Sequence, residues 1–139
     1  MKTTDYKIDQ QIGYLLRLAH QRHSIIFQQH MIADLTPTQF SALVRIHEEK
    51  SCSQNLLGRK ISVDVATMKG VIDRLKKKDL INLNADPTDK RRTLISLTSD
   101  TEKMMSDLLK TGSKISEETL RPLTATEKKR LLQLLTRIT

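Results

Sequence analysis

Ile12, Leu15, Leu16, Ala19, Ile26 and Phe27, with His23 among them, recur at helical spacing and predict a first helix over about residues 8–30. Leu35-Thr36-Pro37-Thr38-Gln39 then reads as a helix start. Thr36 can cap it, Pro37 suits the first helical position, and Gln39 can reach back to complete a capping box. The helix so opened turns Phe40, Leu43, Val44 and Ile46 towards a core. Ser51-Cys52-Ser53 breaks the pattern, and Ser53 can cap a short third helix through Leu56, Leu57 and Lys60. After the tight connection Ile61-Ser62-Val63, Asp64 can cap a fourth helix with Met68, Val71, Ile72 and Leu75 on its inward face. Lys76-Lys77-Lys78 closes that helix, where cations complement the negative end of the dipole.

Two short apolar alternations follow, Ile81-Asn82-Leu83 and Leu94-Ile95-Ser96-Leu97, around the string Asp86-Pro87-Thr88-Asp89-Lys90-Arg91-Arg92. Pro87 and the aspartates favour a turn and the flanks favour strands, so a two-stranded hairpin with three cations near its tip is expected. A fifth helix is predicted over about residues 100–118, with Met104, Met105, Leu108, Leu109 and Ile115 on one side. Pro122 interrupts it. Thr124-Ala125-Thr126-Glu127 forms a second capping box ahead of Leu131, Leu132, Leu134, Leu135 and Ile138.

This order predicts a mainly α fold with a small β-hairpin wing. A winged helix-turn-helix occupies residues 34–99, flanked by helical segments at 1–33 and 100–139. The flanking helices carry more apolar surface than so small a domain needs, and pairing them across a twofold axis would bury it in a homodimer. The alternative is that they cover the winged domain within a monomer. No internal repeat, low-complexity segment or long linker appears.

Charge sharpens the picture. Lys and Arg total 24 against 16 Asp and Glu, a formal net charge of +8. Residues 51–99 alone hold 10 basic and 5 acidic side chains. Concentration of the excess around one helix and one hairpin points to double-stranded DNA rather than to an acidic membrane surface. Aromatic residues are confined to Tyr6, Tyr14, Phe27 and Phe40, which argues against single-strand binding by stacked bases. The single cysteine, Cys52, excludes an internal disulfide and suits a reducing compartment. The polar start over residues 1–11 does not resemble a signal peptide, and no run approaches the ~20 apolar residues that cross a bilayer. The expectation is a soluble cytoplasmic protein with no membrane partner.

In a helix-turn-helix the second helix of the motif enters the major groove, N-terminal end first. Val65, Ala66, Thr67, Lys69 and Gly70 fall largely on the outer side of the predicted fourth helix. Thr67 can meet a thymine methyl or a base edge, and Lys69 can reach guanine acceptors or a phosphate. Ala66 and Gly70 are small enough for a close backbone approach, although Gly70 equally suits close helix packing. Ser53, Gln54 and Asn55 can donate to phosphates, as can Lys90 and Arg92; the alternative for Ser53 is that it serves only as a cap.

The strings Leu35-Thr36-Pro37-Thr38-Gln39-Phe40, Asp64 to Leu75, Asp86-Pro87-Thr88-Asp89-Lys90-Arg91 through Leu97-Thr98, and Leu123-Thr124-Ala125-Thr126-Glu127 resemble the MarR (multiple antibiotic resistance regulator) family of dimeric winged-helix transcriptional regulators. The resemblance covers nearly the whole chain. One departure is Asp79, where the family usually has a Gly that supplies a left-handed helix end. The resemblance implies that Arg91 enters the minor groove and that Asp89 orients it. It also implies a small, often aromatic, acidic effector held where the dimer helices meet the winged domain; repression is the usual outcome when an operator overlaps a promoter, with activation the alternative. Candidates for that role are Tyr14, Arg17, His20 and His23 on the first helix and Phe40 and Arg45 on the second. Leu16 to His23, with Asp64 to Leu75, looks most like members that control catabolism of aromatic acids.

Other classes fare worse. The chain has no Gly-rich phosphate loop, nucleophile elbow or paired catalytic carboxylates, so no enzyme and no cofactor are expected. His20 and His23, even with His30 or His47, lack a clustered carboxylate or thiolate for a metal. Two alternatives remain: an architectural or co-regulatory DNA binder without an effector, and a redox sensor built on Cys52.

Overall fold

Hydrogen bonds at the ends of the helices set the element boundaries of the computed structural model, which describes residues 5–139. The polar start noted above lies partly in Met1–Thr4, outside the described residues. In order the elements are α1 (Ile12–His30), α2 (Pro37–Glu49), β1 (Cys52–Ser53), α3 (Gln54–Lys60), α4 (Val65–Lys77), β2 (Ile81–Ala85), β3 (Thr93–Leu97), α5 (Ser99–Leu120) and α6 (Ala125–Arg137). A 3-10 turn, Ile8–Gln10, stands before α1. The first helix therefore starts later than its periodicity predicts, because Gln11 is extended and its N–H closes the turn onto the Ile8 carbonyl at 3.0 Å.

Among the described residues five helix starts are capped by side chains, that of α5 by Thr98 Oγ1 accepting from the Thr101 N–H at 3.4 Å and the other four by the strings read above. Thr36 Oγ1 accepts from the Gln39 N–H while Gln39 Oε1 accepts from the Thr36 N–H, both at 3.2 Å. Ser53 Oγ accepts from the Leu56 N–H at 3.2 Å, and Asp64 Oδ1 from the Thr67 N–H at 2.8 Å. Thr124 and Glu127 repeat the capping box for α6. Each such cap stabilises its helix by about 1 kcal/mol.

The ends of α3 and α4 share another device. Ser62 (φ 56°) and Asp79 (φ 58°) both take the left-handed conformation. The Val63 N–H reaches the Gly58 carbonyl at 2.8 Å, and the Leu80 N–H reaches the Leu75 carbonyl at 3.1 Å. These are Schellman ends, so Asp79 does the work that Gly does in the family pattern. Gly58 suits the first of them. A Cβ there would stand 3.0 Å from the Val63 carbonyl oxygen, and the backbone between α3 and α4 would have to give by a few tenths of an ångström.

The sheet is three-stranded and antiparallel, in the order β1-β3-β2. The expected hairpin is present, with Ile81 opposite Leu97 and Ala85 opposite Thr93. The third strand was not expected: Cys52 pairs with Ile95 and Ser53 with Leu94. Two residues are too few for alternation to register in a sequence, and only the long-range partner β3 makes them a strand.

The chain divides into two compact units. One is Ile32–Lys110 and the other combines Met1–Met31 with Thr111–Thr139. In the first, α2 packs against α3, α4 and β3, and Leu43, Ile46, Leu57, Met68, Leu75, Ile81, Ile95, Met105 and Leu108 are buried. In the second, the only buried apolar side chains among the described residues are Phe27 and Ile115. Arg22 ties α1 to the end of α5, donating to the Glu118 carbonyl at 2.9 Å and the Thr119 carbonyl at 2.5 Å. His23 Nδ1 lies 2.8 Å from Thr119 Oγ1. Among the described residues no helix is long and apolar enough to cross a membrane.

Candidate nucleic-acid interface

Helix α4 separates its faces cleanly. Met68, Val71, Ile72 and Leu75 are buried, whereas Val65, Ala66, Thr67 and Lys69 are exposed. Val65 is 67% exposed, so a branched apolar side chain stands in solvent in the first turn. Thr67 donates its hydroxyl to Asp64 Oδ2 at 2.9 Å, which fixes its rotamer. Together the Thr67 N–H and hydroxyl hold the Asp64 carboxyl below the ordinary carboxylate range. A Cβ at Gly70 would meet only the guanidinium end of Arg74, with Nη1 at 3.2 Å. Close helix packing, the structural explanation for this glycine, therefore falls away.

The wing is shaped by two aspartates with separate tasks. The Asp86 N–H reaches the Arg92 carbonyl at 3.0 Å and closes the loop at its root. Asp86 Oδ1 accepts from the Thr88 N–H at 2.8 Å and from the Thr88 hydroxyl at 2.7 Å, forming an Asx turn. These two bonds hold its carboxyl below the ordinary range against the opposing effect of burial; Arg92, whose Nε lies 3.8 Å from Oδ2, adds a smaller lowering. Asp89 accepts from the Arg91 N–H at 3.0 Å and from its Nε at 3.3 Å. The Arg91 side chain is 92% exposed, so Asp89 aims it from behind while its outer nitrogens remain open to solvent.

Packing of β1 on β3 brings the start of α3 beside the wing. Ser53, Gln54, Asn55, Arg59, Arg91, Arg92 and Thr93 line one open cleft of about 600 Å³. A neighbouring depression, lined in part by Gln54, Asn55, Arg59, Asp64 and Val65, continues towards the first turn of α4. The fold thus gathers the sequence candidates from residues 53–55, 65 and 91–92 along one surface. Lys69 and Lys90 are exposed and stand outside both clefts. One cation of this surface, Arg59, escaped the sequence reading, because nothing in the chain separates it from its neighbour Lys60.

The effector candidates are distributed over both units. On α1 the Arg17 guanidinium carbon lies 5.3 Å from the Tyr14 ring centroid. His20 Nε2 is 3.4 Å from Ser24 Oγ, and His20 borders an open depression with Leu18, Arg22 and Ile25. Burial lowers the pKa of His23, and the nearby His20 lowers it further. Phe40 and Arg45 lie on α2, where Arg45 pairs with Glu48 at 2.9 Å. Cys52 is buried, and burial, then Glu49, push its thiol pKa up. Both effects keep the thiol protonated, which disfavours a redox sensor at this position. Among the described residues no group of three or more His, Cys, Asp or Glu side chains can hold a metal ion.

A family model described as MarR family matches residues 35–93. The HTH-type transcriptional repressor NicR of Pseudomonas putida is 35% identical over 136 residues, spanning 97% of this chain and 86% of that protein. The solved structure of a probable transcriptional regulator from Pseudomonas aeruginosa is 42% identical, covers 96% of this chain and 100% of its own, and superposes with a TM-score of 0.92. BpsR of Bordetella bronchiseptica, solved in connection with regulation of its DNA binding by 6-hydroxynicotinic acid, is 34% identical, with 96% of each chain covered and a TM-score of 0.89.

Proposed function

The chain belongs to the MarR family of winged helix-turn-helix transcriptional regulators, and on that premise we propose that it is a homodimeric repressor released from a pseudo-palindromic operator by a small aromatic acid. The observation that carries the DNA part is the cleft in which Arg91 and Arg92 converge with the side chains at the start of α3, next to the exposed face of α4. Val65, Ala66, Thr67 and Lys69 address base edges in the major groove, with Gly70 allowing close approach. Arg91 enters the minor groove, held in line by Asp89, and Lys90, Arg92, Ser53, Gln54 and Asn55 meet phosphates.

Support for the effector comes from BpsR and from α1. An aromatic carboxylate needs a cation, a ring surface and a hydrogen-bond donor. Arg17, Tyr14 and His20 provide these on one helix, with Arg17 already against the Tyr14 ring. A dimer with two such helices changes its half-site spacing when the effector binds, and affinity falls because duplex geometry is fixed.

Selection of binding sites from random duplex DNA tests this at near-physiological salt, with an Arg91→Ala variant alongside. The expected result is a pseudo-palindrome with half-sites about one helical turn apart (~10 base pairs), bound more weakly by the variant. Hydroxylated pyridine and benzene carboxylates should then release the selected duplex. Salt-sensitive binding without sequence preference would replace the repressor by an architectural binder, and selection without release by any such acid would remove the effector.

A further inference from the structure

We infer that Arg59, with Arg92, clamps a single DNA backbone phosphate in the cleft between α3 and the wing, coupling the helix-turn-helix to the wing through one contact. The inference rests on the reading that this chain binds duplex DNA and assigns a residue and a chemical role within that surface.

Helix α3 ends with two adjacent cations, Arg59 and Lys60, that are alike in the sequence but not in the fold. Lys60 Nζ is 3.3 Å from Glu49 Oε1, and its charge is spent within the protein. Arg59 is exposed and has no carboxylate within ion-pair distance among the described residues. It borders both the wing cleft and the adjoining depression that leads to the first turn of α4. The guanidinium groups of the cleft are thus graded. Arg91 leans on Asp89, Arg92 lies 3.8 Å from the nearly buried Asp86, and Arg59 is uncompensated. A phosphate placed there would gain a bidentate guanidinium from Arg59, a second cation from Arg92, and neutral donors from Gln54 and Asn55. A guanine edge accepts one guanidinium at O6 and N7, whereas only a phosphate brings the formal negative charge that answers two cations in one cleft. The charge of the site therefore favours a backbone oxygen, and Arg91 lines the same cleft.

The test is the salt dependence of duplex binding by the full-length protein. Wild type, Arg59→Gln, Arg59→Lys and Lys60→Gln are titrated with two duplexes, one carrying the selected site and one of scrambled sequence. Arg59→Gln should weaken binding to both duplexes by a similar factor, about tenfold, and reduce the slope of log K against log salt by about one phosphate's worth (~0.9). Arg59→Lys should recover the slope but only part of the affinity, and Lys60→Gln should change neither. A methylphosphonate scan of the selected duplex should find one position where neutralising the phosphate weakens wild type clearly more than Arg59→Gln, which keeps only the Arg92 contact. An unchanged slope in Arg59→Gln overturns the clamp, as does a loss confined to the selected site, which would make Arg59 a base reader. Failure of wild type to bind either duplex overturns the DNA-binding reading and the clamp with it. Circular dichroism of Arg59→Gln separates a lost contact from a lost fold.

Discussion

Gly70 and Gly58 sit one helix apart and call for opposite substitutions. Nothing rigid occupies the space where a Gly70 Cβ would stand, since Arg74 can swing its guanidinium aside by a few tenths of an ångström. Alanine in a helix interior is better than glycine by roughly 0.5–1 kcal/mol. Gly70→Ala is therefore expected to raise the thermal midpoint while weakening duplex binding, because the outer side of α4 loses its closest approach. A stabilised variant with undiminished affinity would end the functional role of that glycine. At Gly58 the obstacle is backbone, the Val63 carbonyl, so Gly58→Ala should lower stability by about 1–3 kcal/mol. Arg59 and Lys60 teach the same lesson in charge. Identical in a sequence reading, they differ because Glu49, eleven positions upstream of Lys60, happens to face only one of them.

Among the elements, the wing owes its form to carboxylates that must be ionised. Asp86 has a folded pKa below the ordinary carboxylate range, chiefly through the Thr88 N–H and hydroxyl. Its stabilising contribution is therefore complete above that range and disappears as the pH falls through the folded value. Asp64 at α4 and Glu127 at α6 are depressed by their capping bonds and act with the same sign. Asp86→Asn should thus be less stable than wild type at neutral pH, with the gap closing as acid protonates the native carboxylate. Denaturant titrations from pH 7 down to about 3 would check this; a gap independent of pH would mean that Asp86 acts by shape alone. The capping boxes, the Schellman ends and the hairpin are all local, which is why the sequence located α2, α3, α4, α6 and the β2–β3 pair so closely. Strand β1 was missed because nothing in Cys52–Ser53 itself demands a strand; Ile95 and Leu94 do.

For the whole molecule, the imbalance between the two units carries the argument for self-association. The Ile32–Lys110 unit buries a continuous set of Leu, Ile and Met side chains, whereas the unit of α1, α6 and the end of α5 leaves Ile12, Leu15, Leu16, Ile25, Leu132 and Ile138 exposed. Ile12 is 61% exposed and Ile138 63%, more than isolated surface residues of a helical unit need be. Sedimentation equilibrium at micromolar concentration should find a dimer, and Ile12→Asp should yield monomers that keep their helical circular dichroism. Because a dimer engages two half-sites at once, those monomers should bind the selected duplex at least ~100-fold more weakly. A wild-type monomer would refute both the assembly and the twofold operator.

Periodicity, capping strings and the Asp-Pro turn determined the order of helices and hairpin, because each is a preference that neighbouring residues satisfy among themselves. The same strings placed Asp89 two residues before Arg91, close enough to orient it by local geometry alone. What only tertiary structure decided depends on residues far apart in the chain. Pairing of β1 with β3 carried Ser53, Gln54 and Asn55 to the wing, and the Glu49 contact left Arg59 as the unpaired cation between them. His23 was spent on Thr119, and burial closed off Cys52. Local preferences are written residue by residue, whereas the availability of a charge or a thiol is settled by whatever the rest of the chain folds against it.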